Sequence, residues 1–432
     1  MDIIEKIYPT GRISGSSYIF TPQNIVEDML NMLPDDFWTP DKKILDIYTK
    51  SGRFLKEAFK RLYNSPYLAD MDIAKRKRHI LTEQLFGLTD DFTCLLLSER
   101  MLYGYAQYGK KHIKMIKNMI PFVQSQDHKF INNLLEKEFD TMKFDLVIGN
   151  PPYNKGMDLD FVDLGYKISN QYTVMITPAK WQTAEANQKV SSKNINYGQF
   201  RQMYVPHMKY VCFYPDCKDV FNIMQADGIS WYLIDKLHTY DKCTIVNKLN
   251  ANKVIDSVSE RNLCDSNTLF NAGDEIIKYI GKYNNFTFPD CNYGRFRVFT
   301  NNHAPGGALY AFSPTASSIH IIGKSYLLDT HTKRLAFGET SLPDDAVAVY
   351  ASDDLSECQS FISWLKTKFV RFFVAVNISK LAPMMCNECF KLVPAPPSGK
   401  FDHIYTDKEL YKAFNLPQKY IDVIEAVVKE RK

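Results

Sequence analysis

No apolar run in the 432 residues approaches the roughly 18 that a membrane-crossing helix needs, so a helical membrane protein is excluded by composition. The start, Met1-Asp2-Ile3-Ile4-Glu5-Lys6, lacks a basic segment leading into an apolar stretch, so no secretory leader is expected and the cytoplasm is the default location. Cysteine is sparse and scattered. There are nine, an odd number, which argues against a disulfide framework. The one close pair, Cys386-x-x-Cys389, offers half of a structural zinc site with no second Cys/His pair at matching spacing, so no metal is expected. An excess of charge of one sign is lacking too. The 53 basic and 49 acidic residues leave a net +4, compatible with a polyanionic partner but no proof of one. Internal repeats, low-complexity tracts, a GxxxxGK[ST] phosphate loop and zinc-finger spacing are all missing, which removes solenoids and nucleotide-driven motors of that type.

What is present is alternation. At ~100–200 residues per domain the length predicts two or three domains. The first half alternates strand-like and helical stretches: Lys43 to Tyr48, a helix from Arg53 to Tyr63, Gln84 to Leu88, a helix from Phe92 to about Tyr105, a third strand at Ile120 to Gln124, a fourth at Phe144 to Gly149 and a fifth at Tyr172 to Thr177. Strands spaced by helices predict a parallel sheet covered on both faces. Tyr210 to Tyr214 and Ile229 to Ile234 have no clear helix between them, which predicts an antiparallel closing pair. After about Asp241 the text becomes polar and mixed, and from Phe286 it is rich in aromatics, Gly and Pro. Short strands at Phe296 to Thr300 and Ala346 to Tyr350, a helix from Leu355 to Phe373 and a terminal helix from Gln418 to Lys432 predict a separate α+β domain. The basic run Lys75 to His79 reads as solvated surface, with phosphate contact the sharper option.

The strongest chemical signal is Asp145-Leu146-Val147-Ile148-Gly149-Asn150-Pro151-Pro152-Tyr153. A buried strand ends in glycine, and a rigid polar-Pro-Pro-aromatic loop follows at the carboxyl end of the strand, where open α/β sheets bind ligands. The set suits transfer of a methyl group to a planar amino nitrogen. The lone pair of such a nitrogen is delocalised into its ring. Two acceptors around its hydrogens, the Asn150 side-chain oxygen and the Pro151 carbonyl, favour a more tetrahedral nitrogen. The prolines fix φ, and the pre-proline position restricts where Asn150 points. Tyr153 offers a ring on which an extruded base can stack.

This block resembles the catalytic motif of the amino-group DNA methyltransferases, specifically the N6-adenine enzymes. The motif order resembles their gamma arrangement, and the surrounding text is similar to the adenine methylase modules of combined restriction-modification enzymes. The resemblance is strong over about residues 17–235 and weaker to the C-terminus. It implies a Rossmann-like seven-stranded α/β sheet, mostly parallel with an antiparallel last strand. Residues 1–240 would form the S-adenosylmethionine-dependent methyltransferase domain, 241–285 a connecting segment and 286–432 an α+β target-recognition domain that reads double-stranded DNA.

The resemblance also implies roles for single residues. Thr21 and Pro22, which read as a helix cap and first helical residue, would contact the methionine end of S-adenosylmethionine. Asp46 would hold its cationic end, at a turn where Gly52 lets the backbone approach the ligand. Lys50 stands in this turn where the family has its first glycine. Asp90 would bind the ribose hydroxyls, with helix capping by Asp90 and Asp91 the alternative. Asp127, after the third strand, would accept from the cofactor adenine. Phe161 would pack near that adenine or serve only as core. Thr177-Pro178-Ala179-Lys180-Trp181 resembles the family's polar-Pro-x-x-Trp run. Phe221, after Asp219 and Val220, would complete a sandwich with Tyr153 around the flipped adenine, or be a buried loop residue. Arg295, Arg297, Lys333 and Arg334 are candidate DNA contacts, alongside a loop carrying Asn301-Asn302-His303 and Gly306-Gly307. No nuclease signature is present, so any restriction endonuclease partner is expected to be another polypeptide; the oligomeric state is not legible. Two other readings stay open. Protein glutamine methylation uses a similar loop but without a large C-terminal domain. A catalytically silent DNA-binding specificity subunit is motivated by Lys50. Cytosine amino methylation is chemically close, but its loop usually begins with Ser.

Overall fold

The computed structural model describes residues 19–106, 108–153, 156–182, 195–214, 220–221, 228–248, 256–264, 270–291, 296–301, 319–323, 346–378 and 390–428. In the first part the elements run α1 (Gln23–Asn31), β1 (Ile44–Asp46), α2 (Arg53–Tyr63), α3 (Ile73–His79), β2 (Leu85–Thr89), α4 (Phe92–Tyr103) and β3 (Ile113–Met115). They continue through α5 (Met119–Ser125), α6 (His128–Phe139), β4 (Phe144–Gly149), α7 (Met157–Ile168), β5 (Ser169–Pro178), α8 (Tyr197–Tyr204), β6 (Met208–Tyr214) and β7 (Ile229–Asp235). The strands line up in the order β3-β2-β1-β4-β5-β7-β6. β1 to β5 are parallel neighbours, and β7 lies antiparallel between β5 and β6. The chain reverses its direction of travel across the sheet between β1 and β4, which opens a crevice at their carboxyl ends.

Successive residues of a strand point to opposite faces, and the two apolar clusters follow that rule. Leu45, Phe86, Val147 and Met175 face one side, while Ile44, Leu85, Leu146, Ile148 and Val174 face the other. α2 buries Phe54, Leu55, Ala58 and Leu62 as its spacing predicts. Phe59 stays half-buried, stacked on Tyr63.

Three expectations change. The third strand is Ile113–Met115, and the run read as a strand at 120–124 lies inside α5, with Pro121 in its first turn. There a proline costs no hydrogen bond, because the first amides of a helix have no intrahelical acceptor. Among the described residues the sheet has nine strands, two beyond the expected seven. β8 (Cys243–Lys248) pairs parallel with β6, and β9 (Asp256–Arg261) pairs antiparallel with β8. Both come from the stretch read as a connecting segment, which also holds α9 (Gly273–Ile280). The helix expected over 355–373 is two, α10 (Leu355–Lys366) and α11 (Lys368–Ile378), divided at Thr367 in extended conformation.

A second sheet, β11-β10-β12, is antiparallel and formed by β10 (Phe296–Asn301), β11 (Ile319–Gly323) and β12 (Ala346–Ser352). α10 packs on it, with Tyr350 stacked on Phe361 and Phe286 against Trp364 and Phe401. α12 (Asp407–Ala413) and α13 (Gln418–Val427) complete this part. Phe270 meets Phe213 of β6 and Phe372 of α11, so the core is continuous between the two sheets.

Candidate active site

β4 delivers Asn150, 5% exposed, to the crevice beside the end of β1. Its amide nitrogen donates to the Thr21 hydroxyl at 3.1 Å. With the nitrogen so engaged, the amide oxygen is left as an acceptor. The Asn150 backbone carbonyl takes a hydrogen bond from the Lys50 ammonium at 3.2 Å. Neither Pro151 nor Pro152 has an N–H, so the loop is tied down through side chains and carbonyls instead. The third tie is Tyr153, whose hydroxyl donates to the Ile176 carbonyl of β5 at 3.2 Å. Its ring is half-buried and packs on the same apolar cluster that contains Phe221, itself 3% exposed.

The turn after β1 forms the opposite wall. Asp46 is buried, and loss of hydration pushes its carboxyl up to about 7, against the opposing help of Thr49, the Tyr48 amide and Lys50. Lys50 lies over the Tyr48 ring, 5.3 Å from its centre, and loss of hydration holds its ammonium down to about 8. Gly52 precedes α2 with φ of +78°, and a Cβ there would stand 2.9 Å from the backbone of Ser98 in α4. Both the sign of φ and the approach of the two helices therefore demand glycine. Arg53 donates to the Thr21 carbonyl at 2.9 Å, joining this turn to the segment before α1. Thr21, Asp46, Tyr48, Lys50, Ser51, Gly52, Arg53, Phe54 and Asn150 line one small, partly open cavity.

Several sequence-predicted residues thus converge: Thr21, Asp46 and Gly52 line one cavity with Asn150. Their details differ from expectation. Pro22, not Thr21, is the residue before α1, and the Thr21 hydroxyl meets Asn150 instead of capping the helix. The two acids after β2 divide the alternatives. Asp91 caps α4 by accepting from the Cys94 amide at 2.8 Å, while Asp90 accepts from the Tyr48 hydroxyl at 3.1 Å. Asp127 is not brought to the cavity. It caps α6 by accepting from the Phe130 amide, on exposed surface 12 residues beyond β3. Phe161 is fully buried, edge-on to Tyr48. Trp181 is core. Asp219, Arg295, His303, Lys333, Arg334, Cys386 and Cys389 lie outside the described residues. Arg297 belongs to β10, the central strand of the second sheet. Tyr48 and the contact between Lys50 and Asn150 were not anticipated; the aromatic two residues after Asp46 was the one available signal. Among the described residues no group of His, Cys, Asp and Glu is arranged to hold a metal, and no helix is long and apolar enough to cross a membrane.

Residues 71–160, from before β2 through the Asn150 loop, match the model of the Eco57I restriction-modification methylase family. The turn at Asp46 to Phe54 lies outside the matched residues. The chain is a homologue of an uncharacterized adenine-specific methylase of Mycoplasma pneumoniae, 28% identical over 339 residues, covering 61% of this chain and 77% of the relative. Among solved structures, the type I restriction enzyme EcoKI M protein is similar at 11% identity and TM-score 0.40, covering 82% of this chain and 73% of that one. The type IIG restriction endonuclease BpuSI is similar at 11% identity and TM-score 0.44, with 98% and 68% covered. The chain spans about half, 49%, of the methyltransferase subunit of a type I restriction-modification system from Streptococcus thermophilus, at 14% identity and TM-score 0.36.

Proposed function

We propose that this methylase homologue is a site-specific DNA adenine methyltransferase, acting alone or as the modification part of a restriction-modification system, on an adenine flipped out of duplex DNA. The observation that carries the proposal is the pinning of the Asn150 amide. Thr21 takes its nitrogen, and its oxygen remains to accept from an amino group. The Pro151 carbonyl is the second acceptor. Holding both hydrogens of the adenine N6 in this way frees its lone pair. Tyr153 and Phe221, which share one apolar cluster, are assigned to stacking on the ring.

The cavity's donor set fits S-adenosylmethionine. Asp46 offers a buried carboxyl to a cationic end and Thr21 lines the same cavity; Pro22, next to Thr21 in the chain, is assigned to the methionine end, and Asp90, just after β2, to the hydroxyls. When bound, that cofactor supplies a methyl group already activated on a sulfonium. The chain contributes orientation and the exclusion of water. Arg297, with Arg295, Lys333 and Arg334, is assigned to DNA contact, and 286–432 to target recognition.

Expression in a host free of DNA methylation, followed by sequencing that detects modified adenine, tests the activity and reports the recognition site together. Asn150→Ala is expected to abolish methylation while calorimetry still shows S-adenosylmethionine binding; turnover in that variant would remove the assignment of Asn150. The positive charge of Lys50 beside the cavity favours one other reading, a silent DNA-binding specificity subunit. DNA binding without any cofactor binding would support it.

A further inference from the structure

We infer that Lys50 is a positioning residue for methyl transfer: its ammonium ties the cofactor turn to the catalytic loop through the Asn150 carbonyl. The inference rests on the methyltransferase reading above. Two features of the chain carry it. The loop has consecutive prolines, so positions 151 and 152 offer no N–H, and any tie there must reach a carbonyl or a side chain. Lys50 comes from the opposite wall of the cavity, and its ammonium meets the carbonyl that precedes the first proline at 3.2 Å. The Tyr48 ring beneath the ammonium limits its swing, and Tyr48 is itself fixed by its hydroxyl on Asp90. A glycine at position 50 has no side chain to make this tie. With Asn150 held at its amide by Thr21 and at its carbonyl by Lys50, both ends of the residue are set by segments that line the cofactor cavity. Occupation of the cavity and alignment of the acceptor loop are thereby coupled.

The test compares full-length wild type, Lys50→Met and Lys50→Arg. A charged hydrogen bond of this kind is worth roughly a 10- to 100-fold change in rate. Lys50→Met is expected to lower kcat for DNA methylation by that factor, while the dissociation constant for S-adenosylmethionine moves by less than about threefold. Lys50→Arg is expected to restore most of the rate. Without cofactor or DNA, hydrogen exchange at the Asn150 and Tyr153 amides is expected to quicken in Lys50→Met and not in Lys50→Arg. If Lys50→Met does not fold, Lys50→Gln replaces it in both measurements. Unchanged kcat with unchanged exchange overturns the inference, and so does a loss of cofactor affinity that accounts for the whole rate effect. A wild-type protein that methylates no DNA would instead remove the underlying reading, and the exchange comparison would still decide whether Lys50 holds the loop.

Discussion

With Asp46 as the proposed partner of the cofactor's cationic end, one carboxyl ties cofactor affinity to pH. Burial raises it to about 7, so in the empty protein it takes up a proton through the neutral range. A cationic ligand favours the ionised form, so binding must expel that proton below pH 7. The affinity for S-adenosylmethionine is therefore expected to be about tenfold weaker at pH 6 than at pH 8. Calorimetry at the two pH values checks this, and Asp46→Asn should flatten the difference; an affinity independent of pH would count against Asp46 as the partner of the cationic end. At this scale the sequence was legible where a residue's role is fixed by its neighbours in the chain. Asn150 and Gly52 were found because the loop and the turn are local. Thr21 was read as a helix cap because Thr-Pro ahead of a helix usually is one. Its meeting with Asn150 spans 129 positions, a separation that no local pattern encodes.

The turn into α2 is the element that aligns the cavity wall. Gly52 carries a positive φ and abuts Ser98 of α4, so Gly52→Ala adds both backbone strain and a clash against backbone. The expected loss is about 2–4 kcal/mol of stability, read as a fall in the urea midpoint with little change in slope. A loss below about 0.5 kcal/mol would mean that the turn can relax. Helices with clear apolar faces and strands with long apolar runs were readable in advance. β3 was not. It is three residues long with a lysine at its centre, while the nearby Ile120-Pro121-Phe122-Val123 has the richer strand composition and is helical. β8 and β9 were hidden for a related reason. β8 lies between β6 and β9 with only short apolar content, β9 is a polar, mixed edge strand, and only pairing with β6 and with each other reveals them.

For the molecule as a whole, the instructive group is His112. It is 2% exposed, stacked on Phe86 at 4.5 Å, and neither ring nitrogen has a hydrogen-bond partner among the described residues. Burial pushes its pKa down to about 4. The unfolded chain takes the proton below about pH 6.5, whereas the folded one takes it only near 4, so between those values acid favours unfolding. Asp46, shifted upward, acts in the opposite direction over much of this range, so the useful comparison is between two proteins that both contain it. His112→Leu is expected to gain on wild type by up to about 3 kcal/mol as pH falls from 6.5 to 4, and no further below that. A difference that stays constant across the range would show that His112 is hydrated or paired. The order of strands has one more consequence, which concerns the chain while it is being made. Every residue lining the cavity has been added to the chain by position 150, yet β5 gains its second neighbour only with 229–235. A chain that folds as it is made would therefore hold a nearly finished cavity wall against an open sheet edge for some 50 further residues, the interval from the end of β5 to the start of β7. Phe221, proposed above to stack on the base, is translated within that same interval.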